Sequence, residues 1–398
     1  MGSELILILV VVAGLAFDFT NGFHDTANAM ATSIATGALK PKVAVVLSAC
    51  LNFAGAFISI SVAATIAKGI VNPKVLAGGG GLELVLAALL GAMIWNLVTW
   101  YFTIPSSSSH ALIGGVIGAT VVATGSGAIN WHNLFQAVVT PALLSPIIAG
   151  GVALIGTFVA YKLIRYLGER DARTGYRLGQ IGSASLVSLA HGTNDAQKTM
   201  GVISLALIAH GDISAAHFTV PFWVKFACAT AIALGTAAGG WRIINTMGNR
   251  ITHVEAPQGF AAESSSAAVI LASSYYGYPL STTQVVSGGV TGAGLGKKLA
   301  SVHWRVVGQM ASAWVLTIPA AGLLGGAAYE ISSWFGNHTG AGSLAIAALS
   351  AFTALVLFRL AQRNNITPAE LDRTRERREA EAGAGADTLD GDPVAAAA

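Results

Sequence analysis

Apolar segments of membrane-spanning length recur along most of the chain, and short polar stretches separate or interrupt them. The first apolar run, Leu5 to Phe17, is followed by Asn21–Ala29, which carries a glycine, a carboxylate and two asparagines. Further apolar runs cover residues 43–67, 82–102, 134–161, 220–238 and 344–360. Runs of about 20 apolar residues are typical of transmembrane helices. The pattern predicts an all-α, polytopic membrane protein.

Composition agrees with this prediction, and the positions of the basic residues predict how the chain is oriented in the membrane. Of 398 residues, 54% are hydrophobic and 10% are charged, whereas soluble domains carry roughly 25% charged residues. The net charge of +3 matters less than its placement, because basic residues near membrane ends set orientation. Five basic residues lie within 162–177, so we expect this stretch to be cytoplasmic and the N-terminus to lie outside. We expect a multi-pass protein of the cell (inner) membrane, with the lipid bilayer as its surroundings and no nucleic-acid partner.

The polar stretch after the first apolar run recurs 170 residues later as His191–Met200. In both copies an aspartate, Asp25 or Asp195, follows a glycine by three positions. Ionisable groups are costly inside a membrane and are functional-site candidates by default. We expect both copies to interrupt their helices, so that Glu4–Phe19 and Thr26–Leu39 form separate helical pieces.

A second stretch, Pro105–Gly118, recurs 174 residues later as Pro279–Gly292. Its run of hydroxyl side chains is Ser107–Ser109 in the first copy and Ser281–Thr283 in the second. Separated matches at nearly one offset indicate an internal duplication.

The duplication divides the chain into five parts. These are transmembrane repeat 1 (residues 1–162), a basic cytoplasmic linker (163–177), transmembrane repeat 2 (178–335), an additional transmembrane helix (336–362) and a disordered tail (363–398). Duplicated membrane proteins often contain inverted repeats with a binding site at the midplane. We therefore expect two inverted repeats with broken helices and re-entrant segments.

The hydroxyl runs predict an anion site. A proline precedes each run, and Ser or Thr then caps the helix that follows. Two helix N-termini with free N–H groups and hydroxyls would together suit a small tetrahedral oxyanion. A single copy would be better explained by a capped turn in a membrane loop, but two copies favour a site. The candidate ligands are Ser107, Ser108, Ser109, Ser281, Thr282 and Thr283.

The two aspartates conflict with an anion site unless each is neutralised by a cation or a proton. Asp25 and Asp195 are therefore candidates for coupling, and they would be metal ligands if the coupling ion is Na⁺. The amide oxygens of Asn28 and Asn194 could help to hold such an ion. Anion binding would then depend on the binding of the cation or proton.

Three further side chains have alternative interpretations. His24 could relay protons. Lys198 could pair with Asp195 on one helix face or contact the anion. His191 could serve the site or pack as an interfacial residue.

The motifs together resemble the inorganic phosphate transporter (Pit) family, most closely its bacterial low-affinity branch. The stretches that carry the resemblance are Asn21–Ala29, Pro105–His110, His191–Asp195, Gly259–Glu263 and Pro279–Thr283. The resemblance implies a symporter that imports inorganic phosphate and forms a homodimer. It implies no resident cofactor but a co-transported ion, which is H⁺ in carriers that accept phosphate with a divalent metal and Na⁺ in other branches.

Two residues near these motifs qualify the resemblance. Glu263 matches the family glutamate and would contribute a coupling group. Gln284 stands where many members carry a histidine, which weakens a mechanism that needs a protonatable group there.

Other functions stay open at this stage. A sulfate permease of the same fold would also bind a tetrahedral oxyanion. Phosphate, however, can keep a proton near neutral pH and so donate a hydrogen bond to a carboxylate, whereas sulfate cannot, so the aspartates favour phosphate. An anion channel would need no cation gradient. An enzyme would need an asymmetric catalytic pair, which the duplicated motifs do not offer, so we expect no enzymatic activity.

Overall fold

The computed structural model describes residues 2–72, 80–167, 169–297, 302–336, 340–362 and 366–387. Within these ranges, helices joined by turns and loops make up the structure, with two isolated β-bridges. The helices of repeat 1 are α1 (Gly2–Ala35), α2 (Pro41–Gly55), α3 (Ser61–Gly69), α4 (Gly81–Tyr101), α5 (Ser108–Thr124), α6 (Trp131–Leu134) and α7 (Thr140–Leu167). The later helices are α8 (Glu169–His210), α9 (Phe222–Ala238), α10 (Trp241–Asn249), α11 (Ala256–Tyr276), α12 (Thr282–Lys297), α13 (Trp304–Ser333), α14 (Ala341–Gln362) and α15 (Pro368–Asp387).

Several of these helices are long and apolar enough to cross a membrane. Within the described ranges there are five such spans, namely α1, α4, the continuous stretch from α6 through α7, α13 and α14. The pair α9 and α10 would form a sixth span, broken by a bend of 71°. Two shorter apolar helices, α2 and α5, complete the set. The prediction of an all-α, multi-pass membrane protein with a broken helix is confirmed.

The prediction that the aspartate motifs interrupt their helices is wrong. Helix α1 runs through the first motif from Gly2 to Ala35, and α8 runs through the second from Glu169 to His210. Neither motif contains a proline, and their polar side chains bond to neighbouring helices without displacing the backbone hydrogen bonds. Gly22 and Gly192 instead permit close packing, because a Cβ on either would lie within 3.0 Å of the backbone of α9 or α2.

Two other predicted boundaries differ from the observed ones. The apolar run 43–67 forms two helices, because the chain leaves helix after Gly55 and starts again at Ser61. The basic linker 163–177 is largely helical: α7 ends at Leu167 and α8 begins at Glu169.

The tail contains a helix where composition predicted disorder. The helix α15 begins with Pro368, and Thr367 and Glu370 form reciprocal hydrogen bonds between side chain and backbone. This capping box and the abundance of Ala, Glu and Arg stabilise a helix. Leu371 is buried, so the helix packs onto the rest of the protein. Residues 388–398 lie outside the described ranges.

The helix contacts between the two repeats occur in equivalent pairs. Helix α1 packs against α9 of the other repeat, and its counterpart α8 packs against α2. In the same way α5 packs against α13, and its counterpart α12 packs against α7. In both cases a contact between the repeats is matched by the contact between the equivalent helices. Such matching is expected for two units related by a pseudo-two-fold axis.

Glycine allows the closest of these contacts. A Cβ on Gly118 of α5 would lie within 3.0 Å of the backbone of Gly322 on α13, and a Cβ on Gly292 of α12 would meet Gly150 on α7 equally closely. Helices in membranes associate through such small residues because lipid provides no hydrophobic driving force between them.

Gly118→Ala should destabilise the protein by about 1–3 kcal/mol, because the added methyl group forces α5 and α13 apart. The matched control is Gly151→Ala on α7, where a Cβ would have no neighbour within 4 Å. Helix propensity alone makes this control neutral or stabilising by roughly 0.5–1 kcal/mol. Thermal unfolding in detergent measures both, and equal stability of the two variants would contradict the packing described.

Candidate functional site

The two hydroxyl runs begin helices α5 and α12 as the sequence predicted. Ser107 caps α5 by accepting a hydrogen bond from the backbone N–H of His110 at 3.1 Å. Ser281 accepts the equivalent bond from the N–H of Gln284 at 3.3 Å. All six hydroxyl side chains are buried. Each N-terminus therefore presents its dipole and remaining N–H groups inside the protein.

The two N-termini meet. Ser109 donates a hydrogen bond to the carbonyl of Leu280 at 3.0 Å, across the pair. Gln284 Nε2 and His110 Nδ1, one turn into the two helices, are 3.4 Å apart. Segments 174 residues apart in the sequence thus form one centre.

Asp25 joins this centre from α1. It accepts hydrogen bonds from Ser108 of α5 at 2.8 Å and from Thr283 of α12 at 3.4 Å. His24 Nδ1 lies 2.6 Å from Asp25 Oδ1. The first aspartate is thus bonded to hydroxyls from both helix N-termini.

Asp195 joins the centre from α8. Thr282 donates to its Oδ2 at 3.4 Å, and Asn21 of α1 donates to the same oxygen at 3.3 Å. His191 Nε2 lies 3.3 Å from Oδ2, and the Lys198 ammonium lies 2.5 Å from Oδ1. The second aspartate therefore has a positively charged partner on its own helix.

The two halves of the centre correspond residue by residue. The hydrogen bond from Ser108 to Asp25 corresponds to the hydrogen bond from Thr282 to Asp195. Donors and acceptors are equivalent residues of the two repeats, by the sequence offsets given above. The position equivalent to Asn28 is Lys198. This substitution places an ammonium group in one half where the other half has a neutral amide.

Lys198 and Asn28 make equivalent contacts despite this difference. Asn28 Nδ2 donates to Thr283 at 3.0 Å and to Thr282 at 3.3 Å. Lys198 donates to the hydroxyl of Ser109 and, at 2.7 Å, to the carbonyl of Leu280. Lys198 is almost completely buried, so these contacts and Asp195 replace its hydration.

Two predicted coupling residues lie at the edge of the centre or beyond it. Asn194 donates to Ser274 at 2.9 Å and to the carbonyl of Tyr278 at 3.3 Å, so its amide nitrogen points to α11 and the loop after it. Its Oδ1 accepts no hydrogen bond from any residue in the described ranges.

Glu263 forms a separate cluster on α11. Thr32 donates to it at 2.5 Å, Ser183 at 2.6 Å and Gln180 at 3.1 Å. Thr32 stands one turn beyond Asn28 on α1, about 6 Å along the helix axis. The glutamate is thus connected to the centre through α1 and does not contact either aspartate directly.

The centre also contains a group of side chains able to hold a cation. Potential ligand atoms of Asp25, His191 and Asp195 all lie within 4.8 Å of one another. Oxygen ligands alone suit Na⁺ or Mg²⁺, and an imidazole nitrogen favours a transition metal. The neighbouring Lys198 ammonium competes with any metal for Asp195.

Sequence reasoning missed some members of the site. Asn21, Thr32 and Gln180 were not singled out, and the role of His191 was left open between function and packing. Spacing along one helix could have indicated them: Asn21 and Thr32 share a face of α1 with Asp25, and His191 precedes Asp195 by one turn. Their partners on other helices are not visible in the sequence.

A duplicated helical membrane protein with buried carboxylates and two hydroxyl-lined helix N-termini has the architecture of a membrane transporter. A model of the phosphate transporter family matches residues 21–174 and 166–325, so that it covers each half of the chain once. The chain belongs to the phosphate transporter family, whose curated relatives are transporters and not enzymes.

Individual relatives agree with this family. The chain is 55% identical over 336 residues to a probable low-affinity inorganic phosphate transporter of Mycobacterium bovis. The aligned region covers 84% of this chain and 80% of the relative. A protein of the same description from Bacillus subtilis is 44% identical and is covered to 97%. A solved structure titled "The sodium-dependent phosphate transporter" matches with a TM-score of 0.73 and 25% identity, over 83% of this chain and 99% of that one.

Lys198→Met should destabilise the protein by about 3–5 kcal/mol, because Asp195 then lacks its buried cationic partner. Adding Asp195→Asn to this variant should recover most of the loss, since no unpaired charge remains. The control is Lys68→Met, which removes an exposed lysine from α3. Thermal unfolding in detergent measures all three. A double variant no more stable than Lys198→Met would show that the pair is not energetically coupled.

Proposed function

We propose that this protein is a symporter that imports inorganic phosphate together with H⁺ or Na⁺. Phosphate binds between the N-termini of α5 and α12. The hydroxyls of Ser107–Ser109 and Ser281–Thr283 and the free N–H groups of both helices donate hydrogen bonds to its oxygens. These groups hold an oxyanion without a buried arginine and so allow its release.

One observation carries this proposal: the hydroxyls that would bind phosphate donate to the aspartates in this structure. Ser108 donates to Asp25, and Thr282 donates to Asp195. A carboxylate competes with phosphate for these donors as long as it is charged. Once a proton or cation neutralises the carboxylate, the hydroxyl is free to turn to the anion. Binding of the coupling ion and binding of phosphate thereby favour each other.

The two aspartates differ in how far they depend on the coupling ion to neutralise their charge. Lys198 lies 2.5 Å from Asp195 and supplies a fixed positive charge. Asp25 is neighboured instead by imidazoles, His24 at 2.6 Å and His191 within 4.8 Å. Asp25 is therefore the carboxylate that a mobile proton or Na⁺ neutralises. His24 would pass a proton to it, whereas Na⁺ would bind between Asp25 and Asp195, with the amide oxygens of Asn28 and Asn194 as further ligands.

Coupling is also required by the membrane potential. Moving one negative charge inward against ~100 mV costs about 2.3 kcal/mol. A divalent phosphate therefore needs more than one accompanying positive charge. A divalent metal carried with phosphate would supply such charge, and the buried glutamate, Glu263, would serve as a further coupling group.

Transport requires the centre to open to each side in turn. The paired contacts between repeats support two units related by a two-fold axis, and we infer that the repeats are inverted with respect to the membrane. Rocking of one unit against the other would then expose the centre to either side. A homodimer remains part of this proposal.

Asp25→Asn and Asp195→Asn should each abolish gradient-driven phosphate uptake while the protein still inserts into the membrane. In Asp25→Asn, loss of one coupled charge removes about 2.3 kcal/mol of driving force at ~100 mV, which lowers accumulation by more than tenfold. In Asp195→Asn, the buried Lys198 ammonium loses its carboxylate partner beside the anion site. The matched control is Asp212→Asn, a partly exposed aspartate in the loop after α8. The measurement is uptake of labelled phosphate into vesicles, with pH and Na⁺ gradients imposed separately.

Wild-type uptake by both aspartate variants would remove their coupling role. The same vesicles distinguish the alternative functions. Faster uptake of labelled sulfate than of phosphate would indicate a sulfate permease, and phosphate flux that ignores both gradients would indicate a channel.

A further inference from the structure

A third buried aspartate lies on α1 outside the site described above. Asp18 is fully buried and precedes Asp25 by seven residues, about 10 Å along the helix axis. It begins a stripe of polar side chains on one face of α1, at spacings of three and four residues: Asp18, Asn21, Asp25, Asn28 and Thr32. Thr32 bonds to Glu263, so Asp18 and Glu263 lie on opposite sides of the centre.

Asp18 has few polar partners. Thr199 of α8 donates to its Oδ1 at 2.9 Å, while its Oδ2 has no hydrogen-bond partner within the described part of the chain. The surroundings are apolar: Gly14, one turn earlier, packs against Ile203 and the methyl group of Thr199. A carboxylate ion with an unpaired oxygen in such a place is costly, and protonation removes that cost.

The charged and titratable groups facing Asp18 do not offset its charge. Asp195 and Lys198 act on it from α8, and the thiol of Cys228 faces it from α9. Lys198 is already bonded to Asp195, so these two charges largely cancel. The thiol is a weak donor. Among the described residues, the Asp18 carboxylate therefore has no cationic partner of its own.

Asn21 lies on α1 between Asp18 and the centre. It follows Asp18 by three residues on the same face of α1, and its Nδ2 donates to Asp195 at 3.3 Å. Its Oδ1 is buried and accepts no hydrogen bond from the residues that the structure describes. A protonated Asp18 is a donor and Asn21 Oδ1 is an unused acceptor, so the protonation of Asp18 can be transmitted through one amide to Asp195.

The chemistry around Asp18 suits a proton and not a metal ion. Hard cations take about six oxygen ligands. Asp18 has beside it one hydroxyl, Thr199, and one thiol, Cys228. A proton needs only the free carboxylate oxygen.

We propose that Asp18 is a proton-binding site of this transporter, linked through Asn21 to Asp195. This inference rests on the proposed symport and assigns H⁺ as a coupling ion. On uptake an O–H bond forms at Oδ2 of Asp18, and on release that bond breaks and the proton returns to water. No other bond changes.

The test uses the full-length protein reconstituted in proteoliposomes. With an inward gradient of about one pH unit, one coupled proton supports about tenfold phosphate accumulation. Asp18→Asn should lose this accumulation and the internal acidification that accompanies phosphate entry. Phosphate counterflow, measured with equal phosphate and equal pH on both sides, should persist. Asp18→Glu should restore part of the pH-driven accumulation, and Thr199→Val, which removes the donor to Oδ1, should displace the pH profile of uptake.

The outcomes separate this proposal from the proposed function. Wild-type accumulation and pH profile in Asp18→Asn would overturn the proton site, as would equal loss of counterflow and accumulation, which indicates a structural role. If Asp18→Asn does not fold, an unchanged pH profile in both Asp18→Glu and Thr199→Val overturns it. Wild-type accumulation that follows Na⁺ and ignores pH also overturns it but leaves the symporter intact. Absence of phosphate counterflow in the wild type would instead contradict the proposed function.

Discussion

The structure depends on satisfying polar groups where no water is available. In the centre, each aspartate is bonded to hydroxyls at a helix N-terminus, and those hydroxyls come from helices far away in the sequence. An unpaired carboxylate or an uncapped helix end would be costly in hydrocarbon. Ser107 and Ser281 cap the two helices, and the neighbouring hydroxyls of Ser108 and Thr282 satisfy the aspartates. This requirement constrains how α1 and α8 meet α5 and α12.

The sequence was informative wherever a local signal was repeated. The helix starts at Ser108 and Thr282 could be predicted because a proline and a capping hydroxyl act within a few residues. The course of α1 through its motif could not, because the groups that bond to Asn21 and Asn28 belong to the other repeat. The position of Asn194, turned toward α11, was hidden because its partner Ser274 lies 80 residues away along the chain.

The departures from internal symmetry are as informative as the symmetry itself. Lys198 stands where the other half has Asn28, and the position equivalent to Asp18 is Ser188. A duplication initially gives each half the same charges. Divergence has left an ammonium in one half and an extra acid in the other, so the two aspartates of the centre now have different electrostatic surroundings. Asp195 lies beside the ammonium of Lys198, whereas Asp25 lies beside the imidazole of His24.

The exchanged helices have a consequence for the origin of the molecule. The last long helix of each half packs on two helices of the opposite half: α7 packs on α11 and α12, and α13 packs on α4 and α5. Glycines bring these backbones into close contact. A polypeptide consisting of one half would leave these faces uncovered. An ancestor of half the present length would have needed a second copy to cover them.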